Sequence, residues 1–215
     1  IPQDGCYVNN FEDSSHPIAI SLAAGTGHVF GREMEELLEN LQNDVPKAFS
    51  SDDYEREKNG IMKDFQAKRG ALLQEFGEKA EALSVLPQWS PTGFMAMPLL
   101  DGNPVSPEEF EKLDKEKKEE IAAHMHAVHE LAMVVVRQIQ HLEREVRDKL
   151  REMDGKVGLY VVGQLIDDLQ KKYADNPGVS QYLETVKQSV VKNINDFKQT
   201  SSGEEDGPMN LFRKT

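Results

Sequence analysis

Four histidines fall within one short stretch: His124, His126, His129 and His141. Imidazole binds transition metals, and His126 and His129 are three residues apart, close enough to share a helix face. A closed tetrahedral site needs more. No cysteine or carboxylate stands at a matching spacing, and four histidines on one helix do not converge without a second element. They read as solvated or partly packed helix residues. Asp167 and Asp168 are adjacent carboxylates, but neighbours on a helix point apart and make no acid–base pair. Gly25-Thr26-Gly27 and Gly31 resemble a phosphate-cradling loop in composition only, because no Gly-Lys-Ser/Thr follows. The lone cysteine, Cys6, has no basic or histidine neighbour to activate it. No serine has a partner that the sequence can place. Catalytic, cofactor-binding and metal-ligating residues are therefore assigned as none.

The remaining chemistry is apolar. Trp89, Phe94, Met95, Met97, Leu99 and Leu100 crowd into a dozen residues beside prolines and glycines. Methionine and aromatic clusters on loops suit adaptable binding, which makes Trp89, Phe94, Met95, Met97 and Leu99 candidate substrate contacts. The same cluster would equally serve as a miniature core sealing the end of a helix pair. Gly155, Gly158 and Gly163 also have two readings: close helix packing, or a hinge.

The elements that carry these residues follow from periodicity. Ile121, Met125, Val128, Ala132, Val135, Ile139, Leu142 and Val146 recur at alternating steps of four and three, a heptad seam within one helix from Asp114 to Tyr173. Leu150, Met153, Val157, Tyr160/Val161, Leu165 and Leu169 continue it after a stutter, where the helix changes partners. At ~1.5 Å per residue such a helix spans roughly 90 Å, so part of it must project. A second helix, capped by Ser51-Asp52-Asp53 and running to about Leu83, carries Tyr54, Ile61, Phe65, Leu72, Phe76, Ala80 and Leu83 as its stripe and covers half of it. Between the two, Pro87, Pro91, Gly93 and Pro98 exclude a helix. Phe94–Met97 reads as a strand, paired with Val85-Leu86 or Gln88-Trp89 around Ser90-Pro91-Thr92-Gly93. Asp101–Pro104 is a turn, and Ser106-Pro107-Glu108-Glu109 starts a short helix. Upstream, Cys6–Val8 and Ile18–Ile20 form two strands, and a helix bearing Phe30, Met34, Leu37/Leu38, Leu41 and Val45 is kinked or restarted by Pro46. Asn176-Pro177-Gly178 ends the long helix. A last helix runs from about Val179 to Phe197, and Thr200–Pro208 reads as a linker.

The expected fold is mainly α: a long antiparallel coiled-coil-like arm on a helical-bundle base, a β-hairpin at the arm tip and two short strands near the N-terminus. The expected divisions are base at 1–50, arm at 51–145 with its tip at 85–105, base again at 146–199, and linker at 200–215. With 38 acidic against 25 basic side chains the net charge is −13, which disfavours nucleic acid and anionic membrane as partners. No apolar run approaches the ~20 residues of a membrane span. A single cysteine fits a reducing, cytoplasmic setting. The start at Ile1 and the end after Phe212-Arg213-Lys214 suggest a piece of a longer protein.

Cys6-Tyr7-Val8-Asn9-Asn10-Phe11-Glu12-Asp13, then Pro17 and Leu22-Ala23-Ala24-Gly25-Thr26-Gly27, resemble a stretch of Lon-like ATP-dependent proteases, in the bacterial branch with a large helical insertion in the ATPase domain. Pro46-Lys47-Ala48-Phe49, Pro91-Thr92-Gly93-Phe94 with Pro98-Leu99, Ser106–Phe110, Val162–Ile166 and Lys172–Asp175 are similar to that insertion's landmarks. Asn210-Leu211-Phe212-Arg213-Lys214 resembles the return into the ATPase core. The resemblance implies a parent with an AAA+ ATPase and a Ser–Lys peptidase, working as a homo-oligomeric ring, hexameric in that family's usual form, on unfolded or misfolded proteins. ATP and Mg would serve the parent. The family's phosphate-binding lysine precedes this segment and its catalytic pair follows it, so neither maps onto these residues. The function implied is non-catalytic substrate handling or gating. The alternative is a structural coiled-coil module for assembly or adaptor docking.

Overall fold

The computed structural model describes residues 2–91 and 93–198. The linker expected at 200–215, the Asn210–Lys214 motif and Thr92 of the hairpin turn lie outside the described residues. The elements are β1 (Asp4–Val8), β2 (Ile18–Leu22), α1 (Gly27–Phe49), α2 (Asp52–Ala82), β3 (Val85–Ser90), β4 (Gly93–Leu100), β5 (Asn103–Pro104), α3 (Pro107–Glu111), α4 (Lys115–Lys172), α5 (Pro177–Lys192) and α6 (Ile194–Lys198). The protein is mainly α, with two small antiparallel sheets ordered β1-β2 and β3-β4-β5. It divides into two compact units, residues 1–58 with 150–215, and residues 59–149. Among the described residues, no helix is long and apolar enough to cross a membrane.

In the first unit, β1 and β2 pair from Asp4↔Leu22 to Val8↔Ile18. Ile20 and Leu22 are buried on one face of this pair, as the strand alternation requires. The buried stripe of α1 is Phe30, Leu37, Leu41, Val45 and Phe49, and that of α5 is Val179, Leu183, Val186 and Val190. Two polar clusters fasten this unit. Tyr173 Oη donates to Glu33 Oε2 at 2.6 Å, and Lys172 pairs with the same carboxylate. Tyr54 Oη donates to Asp154 Oδ1 at 2.8 Å, while Lys198 pairs with Asp154 and lies 4.7 Å from the centroid of the Phe49 ring.

Four expectations change here. Helix α1 runs through Pro46 without a break. The proline lies in the last turn, so it forfeits one main-chain bond near an end that is closing anyway, and its carbonyl accepts from Ser50 N at 3.0 Å. Asn176-Pro177-Gly178 starts α5 rather than merely ending α4: Asn176 Oδ1 accepts from Val179 N at 3.2 Å, and Pro177 takes the first turn. The last helix is two, because Asn193 interrupts it with φ −105°, ψ 32° between α5 and α6. The seam of α4 beyond the stutter is buried at Met153, Gly158, Val162 and Ile166, with Tyr160 66% exposed. Apolar residues occupy nearly every position from Val157 to Ile166, so periodicity could not select the phase.

In the second unit the seam lies where the heptads place it. Val128, Ala132 and Val135 of α4 are buried with Phe76 and Ala80 of α2 and Val85 of β3. Ile121, Met125, Ile139, Leu142 and Val146 flank them half-buried. Asp114 caps α4 by accepting from Lys117 N at 2.8 Å, and Ser106 with Glu109 forms a capping box on α3. The turn expected at Asp101–Pro104 also contributes strand β5, paired as Leu99↔Pro104 and Leu100↔Asn103. Asp101 and Gly102 have φ of 50° and 82°, the two left-handed residues of a tight hairpin turn.

The glycines of α4 make a direct test of the first unit. A Cβ on Gly158 would meet Ile194 Cγ1 at 3.0 Å, whereas one on Gly155 would meet nothing within 4 Å. Gly155→Ala should raise stability by roughly 0.5–1 kcal/mol through helix propensity. Gly158→Leu should lower it by about 1–3 kcal/mol through overpacking. Urea denaturation of the two variants checks both. Glu33 supplies a pH test. Burial acts to raise its pKa, but the bonds from Lys172 and Tyr173 outweigh burial and hold it below the usual carboxylate range. A depressed folded pKa stabilises above the unfolded value of about 4.3, and that contribution is lost as pH falls through the folded value. Wild type should exceed Glu33→Gln in stability at pH 6, and the gap should narrow as the pH is lowered below the unfolded carboxylate value in paired melting curves.

Candidate functional site

The glycine loop before α1 turns out to be a capping device. Asp4 Oδ2 accepts from Gly27 N at 2.9 Å. Main-chain bonds from Gly27, Gly25 and Thr26 hold the Asp4 carboxyl below its usual pKa. A carboxylate from β1 thus sits where a phosphate would bind at this helix N-terminus. A side chain on Gly27 would crowd this cap, because a Cβ would lie 3.1 Å from both Asp4 Oδ2 and Cys6 Sγ. Among the described residues no three His, Cys, Asp or Glu side chains are grouped to hold a metal. His141 Nε2 lies 3.2 Å from Glu145 Oε1, His129 sits 6.3 Å from the Phe94 ring, and Asp167 and Asp168 are exposed.

The apolar cluster is divided by the pleat of β3 and β4. The register pairs Trp89 with Phe94, Pro87 with Ala96 and Val85 with Pro98. These share the inner face. The rings of Phe76, Trp89 and Phe94 lie 4.8 to 5.7 Å apart, centroid to centroid, and Phe94 and Ala96 pack on the buried core of α2 and α4. Leu86 pairs with Met97 and Gln88 with Met95, so Leu86, Met95, Met97 and Leu99 share the outer face. There Met95 is 61% exposed and Leu86 38%, while Met97 and Leu99 are half-buried. Both prolines suit their places. Leu99 N donates to Ser84 O at 2.8 Å, so by the two-residue period Pro98 falls where no donor to β3 is needed. Of the candidate contacts, Met95, Met97 and Leu99 therefore lie together, while Phe94 and Trp89 belong to the other face. Leu86 joins the outer group, and its signal was available in the strict alternation of the strand.

The three glycines are separated in role. Gly158 is buried against Ile194, Gly163 has Lys187 Cε at ordinary contact, 3.8 Å, and Gly155 has open space. Helix α4 is continuous through all three.

Two clefts among the described residues also bear on the site. In the second unit, a groove of about 590 Å³ lies between α2 and α4, floored by Ala71, Leu72, Val134 and Leu142 and edged by Lys68, Glu75 and Arg137. Val134 is 42% exposed there. In the first unit, a cleft of about 410 Å³ runs beside β1, between Cys6–Asn9 and the Phe30, Met34 and Leu38 stripe of α1, with Tyr182 at one wall and Glu35 its one charged lining residue. Burial pushes the Tyr182 hydroxyl up to about 12. Heptad counting did not reveal either cleft, because it reads one element at a time and each cleft is lined by more than one.

Residues 4–37 match the family model of the Lon-like LonC helical domain. That stretch begins at the capping Asp4 and covers β1, β2, the glycine loop and the first half of α1. No curated protein matches the chain. Over these residues, the chain is similar to the helical domain of a Lon-like protease.

Proposed function

We propose that this chain is a non-catalytic substrate-handling or gating module of a Lon-like ATP-dependent serine protease. The family-model match over residues 4–37 supports the parentage. The observation that carries the role is the outer face of β3 and β4, where Leu86, Met95, Met97 and Leu99 form an apolar strip with no charged side chain among them. Apolar contact is non-directional, which suits clients that share no sequence. Methionine adds the flexibility to fit irregular surfaces. On this reading the helices from 51 to 145 form an arm that stands over a cytoplasmic homo-oligomeric ring. ATP, Mg and the peptidase serine belong to the rest of the parent chain. Gly155, with room around it, is the best placed of the three glycines for a hinge.

A second reading has its own observation. The groove between α2 and α4 exposes Val134 in its apolar floor, with charges of both signs at its edge. This favours a coiled-coil module that takes a partner helix for assembly or adaptor docking.

Binding separates the two. The chain should retain a reduced, alkylated and permanently unfolded protein, and Leu86→Asp with Met95→Asp should weaken retention at least tenfold. Trp89 fluorescence and the melting midpoint should stay unchanged in that variant, since both substituted residues face away from Phe76. Equal retention by the folded variant removes the strip from the mechanism. Loss of concentration-dependent association in Val134→Lys, with client binding intact, would favour the docking reading instead.

A further inference from the structure

The groove between α2 and α4 extends beyond its widest part. A second hollow of about 100 Å³ shares Leu72, Glu75, Val134 and Gln138 with it and carries it on to Lys79 and Leu131. The two together run from Lys68 to Lys79 on α2 and from Leu131 to Leu142 on α4. At ~1.5 Å per residue that is roughly 17 Å, the length of about three helical turns. A trough of this length between two helices, apolar along its floor, fits a third helix that lays one apolar stripe into it.

The charges at the edge narrow the choice of helix. Lys68 Nζ lies 2.9 Å from Asp64 Oδ2, Lys79 Nζ donates to Glu75 Oε1 at 2.6 Å, and His141 Nε2 lies 3.2 Å from Glu145 Oε1. Each of these is matched along its own helix. Arg137 is the exception: among the described residues it has no carboxylate partner. A helix lying over the groove would take water from this guanidinium, and that costs free energy unless the occupant brings a carboxylate. The planar fork of arginine is suited to receive one. A second copy of the chain has no matching stripe to offer. The large apolar side chains exposed on its described helices are Met62, Met133, Val134, Leu159 and Tyr160, and no three of them stand at i, i+4, i+7.

We propose that the groove takes an amphipathic helix of a different protein, about three turns long, with apolar residues on one face and a carboxylate beside them that pairs with Arg137. The inference rests on the docking reading above and specifies its partner: an adaptor helix with an acidic flank.

The test uses the full 215-residue chain and fluorescent, lactam-bridged helical peptides of about 14 residues. Each peptide carries leucines at alternating steps of three and four, with glutamate, glutamine or lysine beside the central leucine. By fluorescence anisotropy the glutamate peptide should bind about fivefold more tightly than the lysine peptide. Arg137→Glu should reverse that order, and Val134→Lys should weaken all three peptides several-fold. Both substituted residues are exposed, and circular dichroism verifies that the helices persist. Equal binding of the three peptides to wild type overturns the acidic flank and leaves the docking reading standing. If no peptide binds, or if Val134→Lys changes nothing, both fail. Self-association that Val134→Lys removes, seen by sedimentation velocity, would assign the groove to a second copy and overturn the proposal as well.

Discussion

The structure depends on one constraint: a 58-residue helix cannot bury a single apolar line along its whole length. A straight α-helix drifts against a seven-residue repeat, so a straight seam must either supercoil or change partners. Helix α4 changes partners. Up to Val146 its seam is covered by α2, most deeply where Val128, Ala132 and Val135 meet Phe76 and Ala80. Beyond Leu150 the buried line becomes Met153, Gly158, Val162 and Ile166, and the neighbours include Ile194 of α6. The division into two units falls at Lys149/Leu150 in this helix and at Lys58/Asn59 in α2. The other elements are shorter, the longest being α2 with 31 residues and α1 with 23.

Much of this was legible because local signals agreed with one another. Capping residues, the heptad steps and the Pro-rich interruption placed α2, α3 and α4 within a residue or two. Legibility failed where a signal was degenerate or long-range. Val157, Leu159, Tyr160, Val161, Val162, Leu165 and Ile166 offer apolar side chains in all directions, and the buried side is the one that carries Gly158, Val162 and Ile166, with Ile194 packed on Gly158. The cap of α1 was invisible for another reason. Its donors are at Gly25–Gly27, but its acceptor, Asp4, is 23 residues away from Gly27 and arrives through β1. A glycine-rich loop before a helix carries the same composition whether it receives a phosphate or a carboxylate. The absent lysine argued against phosphate, and the position of Asp4 explains what the glycines do.

The candidate strip shows the same limit at smaller scale. Its residues were found from composition, and composition does not assign faces. The pleat does. Once Trp89 pairs with Phe94, every second residue is committed to the core and the rest are turned outward. Phe94 therefore packs on the core of α2 and α4, while Met95, Met97 and Leu99 lie on the outer face, where Met95 is 61% exposed.

Charge is used sparingly inside and always at ends. No polar or charged residue is fully buried among the described residues. The polar contacts that tie distant parts of the chain together cluster where helices begin or finish. Asp4 holds the first turn of α1, Glu33 holds the last turn of α4 through Lys172 and Tyr173, and Asp154 gathers Tyr54 from the first turn of α2 and Lys198 from the end of α6. Helix ends have unsatisfied main-chain groups and little apolar surface, so directional bonds contribute most there. The middles are left to apolar packing, which tolerates sliding and repacking better than a hydrogen bond does.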